Sequence, residues 1–168
     1  IDFNSADIVV IDGLNNGSNS LTINNQSQNS IASTIQFRQE AKGNRVSNCS
    51  ILGSSTGLYS SPQGATILFA TATTGTGNDN NTISDNDIGL SGTNLPYQAI
   101  KSHGTASREN KNNTIDRNLI HDYFSGATST SNSKGIIAYT NTTHWTISNN
   151  RLYQSAKRTS QASGSSGL

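Results

Sequence analysis

Apolar residues in this chain come in short runs, two to a repeat, set among polar spacers. One run occurs four times: RVSNCSI at 45–51, TISDNDI at 82–88, TIDRNLI at 114–120 and TISNNRL at 146–152. Its first aliphatic residue falls at Val46, Ile83, Ile115 and Ile147, in steps of 37, 32 and 32 residues. A looser copy, LTINNQS at 21–27, puts Ile23 another 23 residues upstream. The second run reads STIQFRQ at 33–39, ATILFAT at 65–71, QAIKSHG at 98–104 and KGIIAYT at 134–140. There Ile35, Ile67, Ile100 and Ile136 are spaced 32, 33 and 36. The two runs advance together, so each repeat holds at least two strands bounded by Gly, Asn, Ser and Thr. No stretch keeps apolar residues at helical spacing over three turns, so the pattern predicts little or no helix. Strand-bearing repeats of this length are the mark of a solenoid.

The expected fold is all-β, with each strand pairing in parallel with its copy one repeat later. An antiparallel meander would need recurring tight hairpins such as Asn-Gly. The one clear Asn-Gly, at Asn16–Gly17, does not recur. About five coils at roughly 4.8 Å each would make a rod on the order of 25 Å long. Period-two alternation points Ile35, Phe37, Ile67, Phe69, Ile100, Ser102, Ile136 and Ala138 inward. Gln36, Arg38, Leu68, Ala70, Lys101, His103, Ile137 and Tyr139 then point outward. The solenoid is expected over residues 1–159, with a low-complexity tail or linker at 160–168.

Aligning the phrases stacks Cys49, Asn86, Asn118 and Asn150 in one column. Asn tolerates the left-handed backbone of a sharp bend, and its amide both donates and accepts. A side-chain ladder along the rod is therefore expected, broken at Cys49, whose thiol cannot continue amide bonding.

With its NNTISDNDI and NNTIDRNLI phrases and the IDGL at 11–14, the chain resembles the right-handed parallel β-helix repeats of the pectin-lyase-like superfamily. More narrowly, it is similar to Asn-, Thr- and Ser-rich β-helix segments of very large secreted surface proteins of the Bacteroidota. The resemblance covers roughly residues 6–156. It implies a fold that hosts lyases, hydrolases, adhesins and inert spacers alike, and a secreted or cell-surface setting.

Composition narrows this further. The net charge is +1, which predicts no strong attraction to nucleic acid or to an anionic membrane. No apolar run approaches the length of a membrane-spanning helix, so no membrane insertion is expected. Low charge also argues against disorder, and a narrow core accounts for the low apolar content. Cys49 is the single cysteine, which leaves a buried inert thiol as its plain reading. Strands begin almost at once, with DIVVID at 7–12. That leaves little room for a cap, and the natural chain is expected to continue at least upstream.

The chemistry such a fold can host is acid–base cleavage of polysaccharides by clustered carboxylates, or recognition without cleavage. Asp85 and Asp87 share a coil, but the next coil places Arg117 and Leu119 beneath them, so an Asp85–Arg117 ion pair is the plain expectation. The motifs typical of the superfamily's hydrolases and lyases are absent, and no catalytic residue, metal or cofactor is expected. The outward column offers the best surface: Arg38 and Lys101 to pair with uronate or sulfate, His103 beside them, and Tyr139 to stack on a sugar. A second outward column runs through Gly89, His121 and Tyr153. Trp145 stands where earlier repeats carry Asn81 and Asn113, either as a sugar platform or as a partial end cap. The sequence thus predicts a non-catalytic structural or adhesive module with a glycan-binding face. Its expected partners are extracellular polysaccharide, further coils of the same parent chain, or copies of itself stacked end to end. A polysaccharide lyase or glycoside hydrolase is the alternative.

Overall fold

A computed structural model of the chain describes residues 1–14, 20–126 and 132–159. Asn16–Gly17 and the tail at 160–168 lie outside the described residues.

The first sheet stacks β1 (Asp2–Asn4), β4 (Ser33–Arg38), β7 (Ala65–Phe69), β10 (Gln98–Ser102) and β14 (Lys134–Ala138). The second stacks β2 (Val10–Asp12), β5 (Arg45–Ser47), β8 (Thr82–Ser84), β12 (Thr114–Asp116) and β16 (Thr146–Ser148). The third stacks β3 (Leu21–Asn24), β6 (Cys49–Gly53), β9 (Asp87–Leu90), β13 (Leu119–His121) and β17 (Arg151–Tyr153). A short pair, β11 (Asn110–Lys111) and β15 (Thr142–Thr143), fills one corner of the last two coils. Every pairing between these strands is parallel. The molecule is a parallel β-solenoid, and among the described residues no helix is long and apolar enough to cross a membrane. Five strands per sheet leave four steps between them, so the chain makes four turns and most of a fifth.

The register follows the repeat spacing. Ile35, Ile67, Ile100 and Ile136 are consecutive partners in the first sheet. Ile11, Val46, Ile83, Ile115 and Ile147 are partners in the second. The recurring seven-residue phrase is not one strand but two, belonging to different sheets. Between them the backbone turns through a left-handed residue: Asn48 (φ 56), Asp85 (φ 58), Arg117 (φ 52) or Asn149 (φ 54). Asn and Asp accept this conformation more readily than other residues do. Arg117 has no such preference, and its guanidinium forks onto Asp85 of the coil below, 2.7 and 2.9 Å away.

The interior is one residue column deep on each sheet. Phe3, Phe37 and Phe69 stack nearly parallel at 4.8 and 4.6 Å, and Phe37 and Phe69 are fully buried. Burial of each ring is worth about 1.5–3 kcal/mol, and stacking adds about 0.5–1.5 kcal/mol per pair. On the next two coils this column carries only Ser102 and Ala138. The indole of Trp145 enters there and meets Phe69 edge-on at 4.8 Å.

Corners are the weak point of such a coil, because the turning backbone leaves sheet pairing and its polar groups still need partners. Side-chain amides supply them in three columns. In the column Cys49–Asn86–Asn118–Asn150, each Asn Oδ1 accepts the backbone N–H of the residue one coil earlier, at 2.9–3.0 Å. It also accepts the Nδ2–H of Asn86 or Asn118. The remaining Nδ2–H bonds reach back to the carbonyls of Val46, Ile83 and Ile115. Cys49 receives Asn86 through its backbone, and its thiol donates locally to the Ser47 carbonyl. A second column, Asn44–Asn81–Asn113, repeats this pattern at another corner. A third, Asn78–Asn110, bonds likewise and caps the Ala41 N–H. Asn44, Asn78, Asn81, Asn86, Asn110, Asn113 and Asn118 are all buried.

Replacing Asn118 by Ala strands the buried Asn86 N–H and removes a donor from the Ile83 carbonyl. A loss of about 1–3 kcal/mol is expected, which is several degrees in melting temperature for a chain of this size. A melting point equal to that of the unaltered protein would contradict the ladder's energetic role.

Candidate functional site

The outer face of the first sheet is not open along its length. Residues 54–64 leave β6 and cross back over it. Beneath this loop Ala65, Leu68 and Ala70 are buried in a small second cluster outside the main core. Gly64 makes the crossing possible: its φ is +79°, and a Cβ there would lie 2.0 Å from the Ser30 carbonyl oxygen.

Lys101 holds the loop down. Its position in the sheet is outward, yet the residue is fully buried. Nζ donates to the carbonyls of Leu58 (2.8 Å) and Gln63 (2.9 Å). Gly64 O and Gln98 Oε1 lie farther off, at 3.5 and 3.4 Å. Burial pulls the ammonium down to about 8. Gln98 helps by donating to the carbonyls of Gly57 and Asn132. Lys101 is therefore a loop latch and not part of an exposed binding face, because the loop covers the column that alternation assigned to solvent. Leu68 and Ala70 are covered for the same reason.

The loop divides the remaining column in two. On one side the His103 ring meets the Ser61 carbonyl through Nδ1 at 3.2 Å, which places the proton on that nitrogen. Tyr139 packs edge-on against both His103 (5.2 Å) and Tyr59 (5.9 Å). Burial lowers the His103 pKa, and the neighbouring Lys101 charge adds to this. Trp145 does not join this group. Its indole lies in the end of the core, and Nε1 donates to the Asn110 carbonyl at 3.0 Å.

On the other side lies a groove of about 340 Å³. Its polar wall is formed by Asp2, Gln36, Arg38, Gln39, Gln63 and Thr71, with Pro62 and Ala70 between them. Arg38 forks onto Asp2: Nε lies 2.9 Å from Oδ1 and the terminal nitrogen 2.6 Å from Oδ2. The pair spans β1 and β4 diagonally, since Asp2 stands opposite Gln36 and Arg38 opposite Asn4. Both side chains remain partly exposed. The Gln39 side-chain oxygen Oε1 is engaged by the Thr73 N–H and hydroxyl. Of the outward positions expected to form a binding face, Gln36, Arg38 and Ala70 line this groove, while Lys101, His103, Tyr139 and Trp145 do not. Asp2, Gln63 and Thr71 are additions that alternation in the second strand set did not supply.

Elsewhere the carboxylates are tied into the rod. Asp85 and Asp116 both engage Arg117. Asp116 also accepts from Ser148 and Asn149, and these bonds hold its carboxyl below the usual range. Asp79 accepts from Thr76 and from the Lys111 N–H. Asp122 is the most enclosed of them, with His121, Ser155 and Arg158 around it. Burial alone would raise its pKa, but these bonds outweigh that and hold it well below the usual range. His121 reaches Asp87 with its other nitrogen at 2.8 Å and stacks on Tyr153. Cys49 is buried, which raises its thiol pKa and leaves it protonated. Among the described residues no group of three His, Cys, Asp or Glu side chains converges to hold a metal ion.

Replacing Lys101 by Met keeps the buried stem but leaves the Leu58 and Gln63 carbonyls without their charged donor. A loss of about 1–3 kcal/mol is expected, concentrated in the loop. Amide exchange and proteolytic nicking at residues 57–64 should rise while the first sheet stays protected. Equal protection of that loop in both proteins would contradict the latch.

Comparison with known proteins returned no match, whether to a family model, a curated protein or a solved structure.

Proposed function

We propose that the chain is a structural and adhesive β-solenoid segment of a secreted or cell-surface protein, akin to the pectin-lyase-like β-helices, and that it binds glycan in the Asp2–Arg38 groove. The observation that carries this reading is the groove itself. A polar cleft of about 340 Å³ falls within the size range of small-ligand sites. Its floor is a sheet whose strands are locked by parallel pairing, and its rim is the loop held by Lys101. A glycan offers dense hydroxyls, and the groove offers amides, a hydroxyl and an ion pair in return.

A second reading, end-to-end stacking, has its own support. The terminal strands leave apolar residues exposed: Val10 (63 %) and Leu21 (44 %) at one end, Ile147 (47 %) and Leu152 (44 %) at the other. Unpaired strands of this kind are templates for further strands, supplied by more coils of a parent chain or by another copy.

The direct test is a panel of neutral and acidic polysaccharides, with and without calcium, followed for both retention and chain cleavage. Retention without cleavage is expected, and Arg38→Ala should weaken it about tenfold or more. Cleavage would overturn the adhesive reading in favour of a polysaccharide lyase or hydrolase. Neither retention nor cleavage would leave the rod alone, and concentration-dependent polymers would then favour stacking.

A further inference from the structure

We infer that the groove selects a neutral, hydroxyl-rich saccharide and discriminates against uronate- and sulfate-bearing chains. This inference rests on the glycan-binding reading of the groove.

Among the described residues Arg38 is the only cationic side chain lining the groove, and Asp2 already matches its charge. The fork to Asp2 uses Nε–H and one N–H of a terminal nitrogen, one of the two faces on which a ligand carboxylate could fork. An anionic sugar would have to displace Asp2 or sit beside its negative charge, and juxtaposed like charges are costly. The Ile1 ammonium is held by the Thr34 carbonyl at 2.7 Å, and Lys101 offers no help either. Its ammonium lies beneath the loop and is bound to the Leu58 and Gln63 carbonyls.

The same pairing suits a hydroxyl. Arg38 has five N–H donors and the fork engages two, so three remain. The Asp2 oxygens keep lone pairs beyond those the fork uses. Donor and acceptor therefore stand side by side, as adjacent sugar hydroxyls require, since each hydroxyl both donates and accepts. The side-chain amides of Gln36 and Gln63 and the Thr71 hydroxyl line the same groove. None of the three has a hydrogen-bond partner among the described residues. All three are bifunctional and uncharged, which again matches hydroxyls better than carboxylates.

The test compares the unaltered protein with Asp2→Asn and Gln63→Ala on neutral polymers (xylan, mannan, β-glucan) and acidic ones (polygalacturonate, chondroitin sulfate). The unaltered protein should be held by at least one neutral polymer and by neither acidic one. That retention should change less than about twofold between low and high salt, because no net charge is screened. Asp2→Asn frees the Arg38 fork. It should lower neutral retention by about tenfold and create salt-sensitive retention on the acidic polymers. Gln63→Ala keeps the ion pair, so it should weaken neutral retention without any switch to acidic polymers. Retention of the unaltered protein by acidic polymers, alone or equally with neutral ones, would overturn the inference and leave glycan binding standing. A folded Asp2→Asn with unchanged preference would overturn it too. If that variant does not fold, Gln63→Ala decides: unchanged neutral retention overturns the inference. No retention on any polymer would overturn the glycan-binding reading itself.

Discussion

A parallel solenoid depends on how it satisfies its corners. Strands look after their own backbone groups by pairing with the coil above and below, but a turning backbone cannot. Buried unpaired N–H and C=O groups cost on the order of 1–3 kcal/mol each, and they would recur on every coil. Here a side-chain amide replaces the missing partner. One Asn oxygen takes two N–H groups from the coil below, and the amide nitrogen returns a bond to a carbonyl of that coil. Asn suits this task because its donor and acceptor are held at one short reach from the backbone. The columns fix the register between coils, since a slip of one residue would break every bond in them.

That constraint explains where variation is tolerated. The Ile and Val columns of the core and the Asn columns of the corners vary little, so difference accumulates in the aromatic column, the loops and the ends. One such departure, residues 54–64, folds over the first sheet and turns part of an exposed face into a second small core. Lys101 fits this place because its stem packs under the loop while its ammonium meets the carbonyls of Leu58, which the Ser61 N–H also reaches, and Gln63. The groove is a by-product of that crossing. The loop stops short of β1, and the Asp2–Arg38 pair occupies the gap.

Much of this was legible in the chain. The spacing of Val46, Ile83, Ile115 and Ile147 carries the parallel register of the second sheet. The phrase around Asn86 and Asn118 carries one corner. Two further corners were visible only in retrospect. Asn44, Asn81 and Asn113 each precede a strand by one residue, and their common spacing was obscured by so many neighbouring Asn residues. The first strand is marked more faintly: I-D-F-N at 1–4 matches I-Q-F-R at 35–38, which sets Asp2 near Arg38. The burial of Lys101 was not legible. Alternation says which side of a sheet a residue takes, but not whether a distant loop covers that side. Trp145 broke the Asn pattern visibly, yet its destination depended on the space left by Ser102 one coil away.

The measurement that bears most directly on this account is residue-resolved amide hydrogen exchange on the unaltered protein. The corner amides of Asn44, Asn78, Asn81, Asn86 and Asn118 donate to side-chain oxygens and not to a neighbouring strand. If the ladders hold the coils together, these amides should exchange as slowly as the strand amides of Ile83 and Ile115. Exchange at the rate of exposed loop amides, with the strands still protected, would contradict the account.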